Sequence, residues 1–432
     1  MTKKKRKFLL LLGLMVFVIP YVCATFALKI QKVRMKKIRT LICMVMMAWA
    51  LSPLSILAAN NNNNYKGVIG LTDTTALTLN PALQRLAGQL LQGKQGSIVA
   101  IEPATGRILC LYSHDKVDDG VNRAISKTYS PGSTFKTAQA LEMLTEGTLT
   151  PEKTYPCHRG FYYNGFHIGC HPHRAPLALV QAIGQSCNAY FCKAFQEMID
   201  NRTAYLTKHR AINRWAQYMH SFGLGRPLGV DIPDEVGGCI PDSAYLRRRH
   251  GNWDGTTIMW VGMGQGEVTT TPLQLCNLAA MIANRGWYVT PHIHTTAEED
   301  KQYTVHHQGL ASREALHTVI LGMRAAVTGG TAASINTPLY KICGKTGTAE
   351  NEGKDHSIFM GFAPMENPKV AIAVYVENGG FGADLAAPLA ALMIEQAVKG
   401  HLSPASQQKA KQWKAKNVKI TPVKVEVNFD DL

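Results

Sequence analysis

A chain of 432 residues, 46% hydrophobic and 18% charged, is not a mostly disordered polypeptide and is long enough for one large α/β unit. Its formal charge of +16 suggests nucleic acid, but the excess is concentrated at one end: Lys3, Lys4, Lys5, Arg6, Lys7, Lys29, Lys32, Arg34, Lys36, Lys37 and Arg39 precede the first acidic residue. These charges flank apolar stretches, as membrane-topology signals do. No zinc-finger, helix-turn-helix or aromatic-basic RNA motif accompanies them, so no nucleic-acid partner is expected.

Two apolar runs come first, Phe8–Leu28 and Thr40–Ala59, each long enough to cross a bilayer, which takes roughly 20 residues. If both spanned, the basic stretch Lys29–Arg39 would lie on the outer side, against the positive-inside rule. Met35-Lys36-Lys37-Ile38-Arg39 instead reads as the charged start of an export signal. Leu41–Leu57 is then its apolar region, and Ala58-Ala59 its small-residue end. The expected organisation is an upstream extension over 1–34, a signal peptide or signal anchor over 35–59, and an Asn-rich linker over 60–76. A globular region over 77–400 and a polar tail over 401–432 follow. Residues 60 onward are expected outside the cytoplasmic membrane.

In the globular region, Pro81–Leu91 reads as an amphipathic helix stopped by Gly93. Ser97–Ile101 and Arg107–Tyr112 are strand-like and joined by the turn Pro103-Ala104-Thr105-Gly106. Helices are predicted over Ser133–Thr145, Pro176–Gln185 and Asn188–Ile199. Another begins at Thr271-Pro272 and ends before Gly286, and a last covers Leu385–Val398. Ile342–Ala349, His356–Ala363 and Val370–Glu377 form a meander of three strands, and Lys409–Lys419 reads as a solvated tail. Two strands early, three late and helices between predict an α/β architecture. It is a five-stranded antiparallel sheet closed by both ends of the chain, flanked by helices, with a helical subdomain.

Three short motifs carry the chemistry. In Tyr129-Ser130-Pro131-Gly132-Ser133-Thr134-Phe135-Lys136, a Pro-Gly turn delivers Ser133 to the start of a helix, with Lys136 on the same face three residues on. A serine hydroxyl needs a base to become a nucleophile, and a lysine serves if burial lowers its pKa. Ser186-Cys187-Asn188 places a hydroxyl and an amide where two helices meet. Lys345-Thr346-Gly347-Thr348 lies in a strand, where a lysine and two hydroxyls suit a carboxylate and Gly347 lets another backbone lie alongside. Alone, each motif reads equally as a capping serine, a polar helix junction and a lysine-protected edge strand.

In this order and spacing the three resemble the signature of penicillin-binding proteins and serine β-lactamases. Asn122-Arg123-Ala124, Gly262–Glu267 with Thr271–Gln274, Ala283–Gly286 with Pro291-His292, and Gly344–Ala349 extend the resemblance over about residues 77–400. Asp355-His356 and Val376–Gly380 resemble the class B, penicillin-binding protein 2 type. The resemblance implies the penicillin-binding protein/serine β-lactamase-like transpeptidase fold and a peptidoglycan D,D-transpeptidase. Ser133 would attack the penultimate D-Ala of a stem peptide, Lys136 would take its proton, and Ser186 would return one to the leaving D-Ala. Asn188, Lys345, Thr346, Gly347 and Thr348 would bind substrate, and the N–H groups of Ser133 and Thr348 would form the oxyanion hole. β-Lactams would acylate the same serine. The location implied is the inner membrane, with the catalytic domain in the periplasm. A carboxypeptidase, a class D-like β-lactamase and a β-lactam sensor are the competing readings. Class B proteins usually carry a pedestal domain that meets the glycan polymerase. Asn60–Leu77 leaves no room for one, so a RodA-like partner is in question.

Cys157, Cys170, His173 and Cys187 complete the sequence reading. A Cys157–Cys170 disulfide is the ordinary expectation for an exported chain, yet it leaves Cys187 and the clustered histidines unexplained. Three thiolates and an imidazole form a common closed zinc set. The segment resembles a Cys…Cys…His…Cys pattern of penicillin-binding protein 2 sequences whose members bind zinc, with His171 the alternative to His173. A structural Zn2+ is therefore expected.

Overall fold

The computed structural model describes residues 77–116, 119–163, 165–294 and 303–421. Both N-terminal apolar runs, the linker and residues 422–432 lie outside the described residues. Among the described residues no helix is long and apolar enough to cross a membrane.

The architecture rests on one antiparallel sheet built from both ends of the chain. Strands β1 (Gly96–Ile101) and β2 (Ile108–His114) come early. A short hairpin, β3 (Gly160–Tyr163) with β4 (Phe166–Gly169), and a minor pair, β5 (Trp287–Tyr288) with β6 (His307–Gln308), lie between. The late meander is β7 (Cys343–Ala349), β8 (His356–Ala363) and β9 (Val370–Val376). The order β2-β1-β9-β8-β7 makes β9 the partner of β1, so the sheet is closed by a pairing between residues far apart in sequence.

The central strands are apolar on both faces because both faces are covered. Ala371, Ala373 and Tyr375 of β9 point into one core and Ile372, Val374 and Val376 into the other. The first core is filled by the helical middle of the chain: α1 (Pro81–Leu91) lies elsewhere, while α2 (Lys136–Thr145), α3 (Leu179–Gly184), α4 (Asn188–Ile199), α5 (Lys208–Ser221) and α6 (Pro272–Ala283) contribute here. Every residue of α6 is buried, and Thr271 and Gln274 close its N-terminus as a capping box. Helix α7 (Arg313–Thr328) packs on α3 and β7. The second core is covered by α1 and by α8 (Ala386–Lys399), with Leu83, Leu90, Leu389 and Met393 buried there.

Several expectations need correction. The helix expected from Ser133 begins with a 3-10 turn, Gly132–Phe135, and becomes α-helical only at Lys136. The helix expected over Pro176–Gln185 shortens to Leu179–Gly184, because Leu177 is drawn into a bridge with Tyr155. The segment expected as a solvated tail instead contains α9 (Pro404–Ala415), which packs on α1 and α8 with Ala410 and Val418 buried. Lys94, itself buried, donates to the Trp413 carbonyl (2.6 Å), and Val418 N–H donates to the Gly93 carbonyl (2.9 Å). A lysine-rich exterior concealed that narrow apolar stripe.

Candidate active site and a Cys/His cluster beside it

The site forms where the turn before α2 meets the edge strand β7. Gly132 has φ +54°, and a Cβ there would lie 2.4 Å from the Thr348 carbonyl, so only glycine lets this turn approach the strand. The Gly132 N–H donates to the Gly264 carbonyl (2.8 Å), which holds the turn from its other side. Gly347 faces the same turn: a Cβ there would sit 3.1 Å from the Pro131 carbonyl and 2.9 Å from Thr134 Cγ2. Ser133 is thereby presented half-buried between the two segments.

Lys136, the first residue of α2, is fully buried. Its Nζ donates to the Ser186 carbonyl (2.9 Å), to Ser186 Oγ (3.4 Å) and to Asn188 Oδ1 (2.5 Å). Burial pulls its pKa down to about 8, against the opposing charges of the Cys192, Cys170 and Cys187 thiols. Ser186 holds φ +53°, a region non-glycine residues seldom enter, and in this conformation both its carbonyl and its hydroxyl reach the lysine. Asn188 opens α4 and donates from Nδ2 to the Gly169 carbonyl at the end of β4 (2.7 Å). A buried amine in contact with the Ser186 hydroxyl, three residues along from Ser133, is an arrangement suited to proton transfer during acyl transfer.

On β7, Lys345 is fully buried and donates to the Thr346 carbonyl (2.9 Å). Burial, then the charge of Lys136, hold its pKa well below the ordinary value. Thr346 Oγ1 shares a 2.6 Å hydrogen bond with Thr331 Oγ1. Thr331 was not foreseen; the Gly329-Gly330-Thr331 run just after α7 was its only trace in the sequence. Gly382 was missed as well, although a Cβ there would meet the Gly347 carbonyl at 2.4 Å. Glu377, at the end of β9, accepts hydrogen bonds from Arg123, Lys127, Tyr129 and Gln95, and so ties the segment leading to Ser133 to the sheet.

Beside Ser186 and Asn188, the ligand atoms of Cys157, Cys170, His173 and Cys187 all lie within 4.8 Å of one another. Cys170 Sγ is 3.4 Å from His173 Nε2, while His173 Nδ1 lies 2.8 Å from the Arg174 carbonyl, which orients the ring. His171 is outside the group, and all three cysteines are free thiols. The Cys187 thiol hydrogen bond, the Asn188 N–H and His173 together draw the Cys170 thiol down to about 4 against the opposing effect of burial. Three sulfurs and one imidazole at this spacing fit a tetrahedral zinc set.

A sheet closed by the pairing of β1 with β9, and a Ser-x-x-Lys turn pressed against a Lys-Thr-Gly edge strand, define the penicillin-recognising transpeptidase fold. The chain belongs to the penicillin binding protein transpeptidase domain family, whose family model matches residues 96–395. It is 32% identical over 412 residues to the peptidoglycan D,D-transpeptidase MrdA of Acinetobacter baumannii, covering 81% of this chain and 59% of that protein. It thus spans well under two thirds of that relative's length. Among solved structures it resembles PBP2 of Pseudomonas aeruginosa in complex with WCK 5153, at 30% identity and TM-score 0.64, covering 76% of this chain and 77% of that one. It also resembles PBP2 of Helicobacter pylori in complex with MreC, at 25% identity and TM-score 0.66, covering 76% and 64% of the two chains.

Proposed function

We propose that this domain is a peptidoglycan D,D-transpeptidase working through a Ser133 acyl-enzyme. The observation that carries the reading is Lys136, buried with a lowered pKa beside Ser186 and Asn188 and one helical turn from Ser133. Ser133 Oγ attacks the carbonyl of the penultimate D-Ala while neutral Lys136 accepts its proton. The tetrahedral oxyanion takes hydrogen bonds from the N–H groups of Ser133 and Thr348; one such donor is typically worth about 2.7–4 kcal/mol. Ser186 delivers a proton to the departing D-Ala amine, and the C–N bond breaks. Lys345, Thr346 and Thr348 bind the terminal carboxylate, Gly347 keeps the strand close to the nucleophile, and Asn188 holds the peptide amide. The amine of a neighbouring strand then displaces Ser133. A β-lactam amide bond opens by the same attack.

Cys157, Cys170, His173 and Cys187 would hold one structural Zn2+, which would neutralise the thiolates and tie the loop after α2 to the turn bearing Ser186 and Asn188. In this reading the domain works on the periplasmic side of the inner membrane, anchored through its N-terminal segment. Its likeness to the MreC-bound Helicobacter protein makes an MreC-like scaffold a partner to test, alongside a RodA-like polymerase.

Labelled penicillin should acylate the full-length protein with one label per chain, and Ser133→Ala should abolish labelling. Stoichiometric labelling of the alanine variant would refute the nucleophile. Incubation with pentapeptide-bearing glycan should yield cross-linked muropeptide dimers; tetrapeptide monomers alone would make the protein a carboxypeptidase.

A further inference from the structure

The β3–β4 hairpin stands at the edge of the site and is not used by the mechanism above. Two-stranded hairpins are marginal by themselves. This one is held by Phe161 and Ile168, buried on its inner face, and by the Cys/His cluster at its base. It adjoins the reacting groups through two hydrogen bonds: Asn188 Nδ2 donates to the Gly169 carbonyl (2.7 Å), and Asn188 Oδ1 accepts from Lys136 (2.5 Å). At its far end Phe166 meets Trp260 edge-on, with ring centroids 6.2 Å apart. Trp260 shortly precedes Gly264, whose carbonyl holds the nucleophile's turn.

The outer face faces solvent with an aromatic surface. Tyr162 is 62% exposed and stacks on its cross-strand partner His167, with centroids 4.3 Å apart and planes 19° from parallel. Tyr163 alternates to the other face, where it stacks on Phe161. A stacked aromatic pair left in water on a hairpin whose base is bonded to Asn188 is a candidate contact surface. Its fixed charge is one-sided: from Cys157 to Arg174 there are two arginines and no Asp or Glu, and both Arg159 and Arg174 are exposed. An arginine fork matches a carboxylate, and a rigid aromatic pair matches the flat or apolar flank of a peptide.

We propose that this face is a subsite for an acidic stem peptide: Tyr162 and His167 take the flank of the peptide beyond the reacting D-Ala, and Arg159 pairs with one of its carboxylates. The inference rests on the transpeptidase reading and extends it from the reacting bond to the body of the substrate. It assigns recognition of the peptide, rather than of the sugar chain, to a hairpin whose base is tied to the Ser186–Asn188 turn.

The test measures binding of the full-length protein to soluble un-cross-linked glycan strands carrying pentapeptide stems, with penicillin acylation rates in parallel. The paired change Tyr162→Ala with His167→Ala should weaken strand binding about tenfold. Tyr162→Trp should retain it, and Arg159→Glu should weaken it and flatten its salt dependence. Penicillin acylation, which reads the reacting groups at Ser133 and not the Tyr162–His167 face, should proceed at the parent rate in all variants. Free stem peptide should compete for the strand and peptide-stripped glycan should not. Unchanged binding in the paired variant, competition by stripped glycan equal to that by peptide, or a parallel fall in penicillin acylation would each overturn the proposal. A parent protein that penicillin fails to acylate, with strand binding still lost in the variants, would overturn the acyl-enzyme reading and leave the subsite standing.

Discussion

Glu377 takes hydrogen bonds from Arg123 Nε (3.1 Å), Lys127 Nζ (3.0 Å) and Tyr129 OH (2.7 Å) on one oxygen and from Gln95 (2.9 Å) on the other. Arg123 and Glu377 are both buried, and Tyr129, four residues before Ser133, also stacks on Tyr375 with centroids 4.2 Å apart. Arg123 also pairs with Asp119 and Asp115 and so keeps partners when Glu377 is removed; the loss is that of the buried hydrogen bonds from Tyr129, Gln95 and Arg123, and Glu377→Ala should destabilise the domain by about 1–3 kcal/mol in urea unfolding. Burial pushes this carboxyl up, but the hydrogen bonds from Tyr129 and Lys127 and the charges of Lys127 and Arg123 outweigh it. The net pKa lies below the ordinary 4.5. A carboxyl depressed on folding contributes stability that is fully present above its unfolded pKa and is lost as pH falls through the folded value. Stability should therefore decline below about pH 4.5, and Glu377→Gln should flatten that acid limb; an unchanged limb would remove Glu377 from the account.

At the scale of elements, the turn before α2 is set by glycines on two sides as well as by its own hydrogen bonds, such as that from Thr134 Oγ1 to the Pro131 carbonyl (2.7 Å). Gly264 has φ +70°, and a Cβ there would come within 2.4 Å of the Gly132 carbonyl and 2.5 Å of Phe135 Cβ. Gly264→Ala must therefore displace the turn that presents Ser133. Misplacing a reacting group by about 1 Å can cost on the order of 100-fold in rate, and the penicillin acylation rate should fall toward that scale. Gly329→Ala is the control, since a Cβ there meets nothing within 4 Å. Equal acylation rates in the two variants would mean that the turn relaxes freely.

For the whole molecule, the decisive pairings connect distant stretches of chain. β9 closes on β1, α9 returns to α1, and the Cys/His cluster joins residues before and after the β3–β4 hairpin to Cys187 at the start of α4. If zinc fills that cluster, it fixes the loop after α2, the hairpin and the Ser186–Asn188 turn as one body. Protein purified without chelator should carry about one zinc per chain. Stripping it should lower both Tm and the rate of penicillin acylation, and added zinc should restore them. A metal-free protein with a Cys157–Cys170 cross-link in peptide mapping would defeat this.

The sequence by itself determined the sheet, the order of its strands along the chain and the motifs that converge on the site. Strand runs such as Val370–Val376 and the Thr271-Pro272 cap are local signals that burial on both faces and capping chemistry make hard to misread. His173 and the three cysteines were equally legible, because sulfur and imidazole ligands are few and were clustered. Only the tertiary structure brings His173, and not His171, beside Cys170, since which ring reaches that sulfur depends on the path of the loop and not on spacing. It alone revealed Thr331, Gly382 and the fourfold role of Glu377, whose partners lie up to 282 residues away. It also turned an expected tail into α9. The apolar stripe of Ala410 and Trp413 gains meaning only against the surface of α1 and α8, and Lys94 must be buried to reach the Trp413 carbonyl. Local chemistry is written in neighbouring residues; long-range complementarity exists only once distant segments have packed.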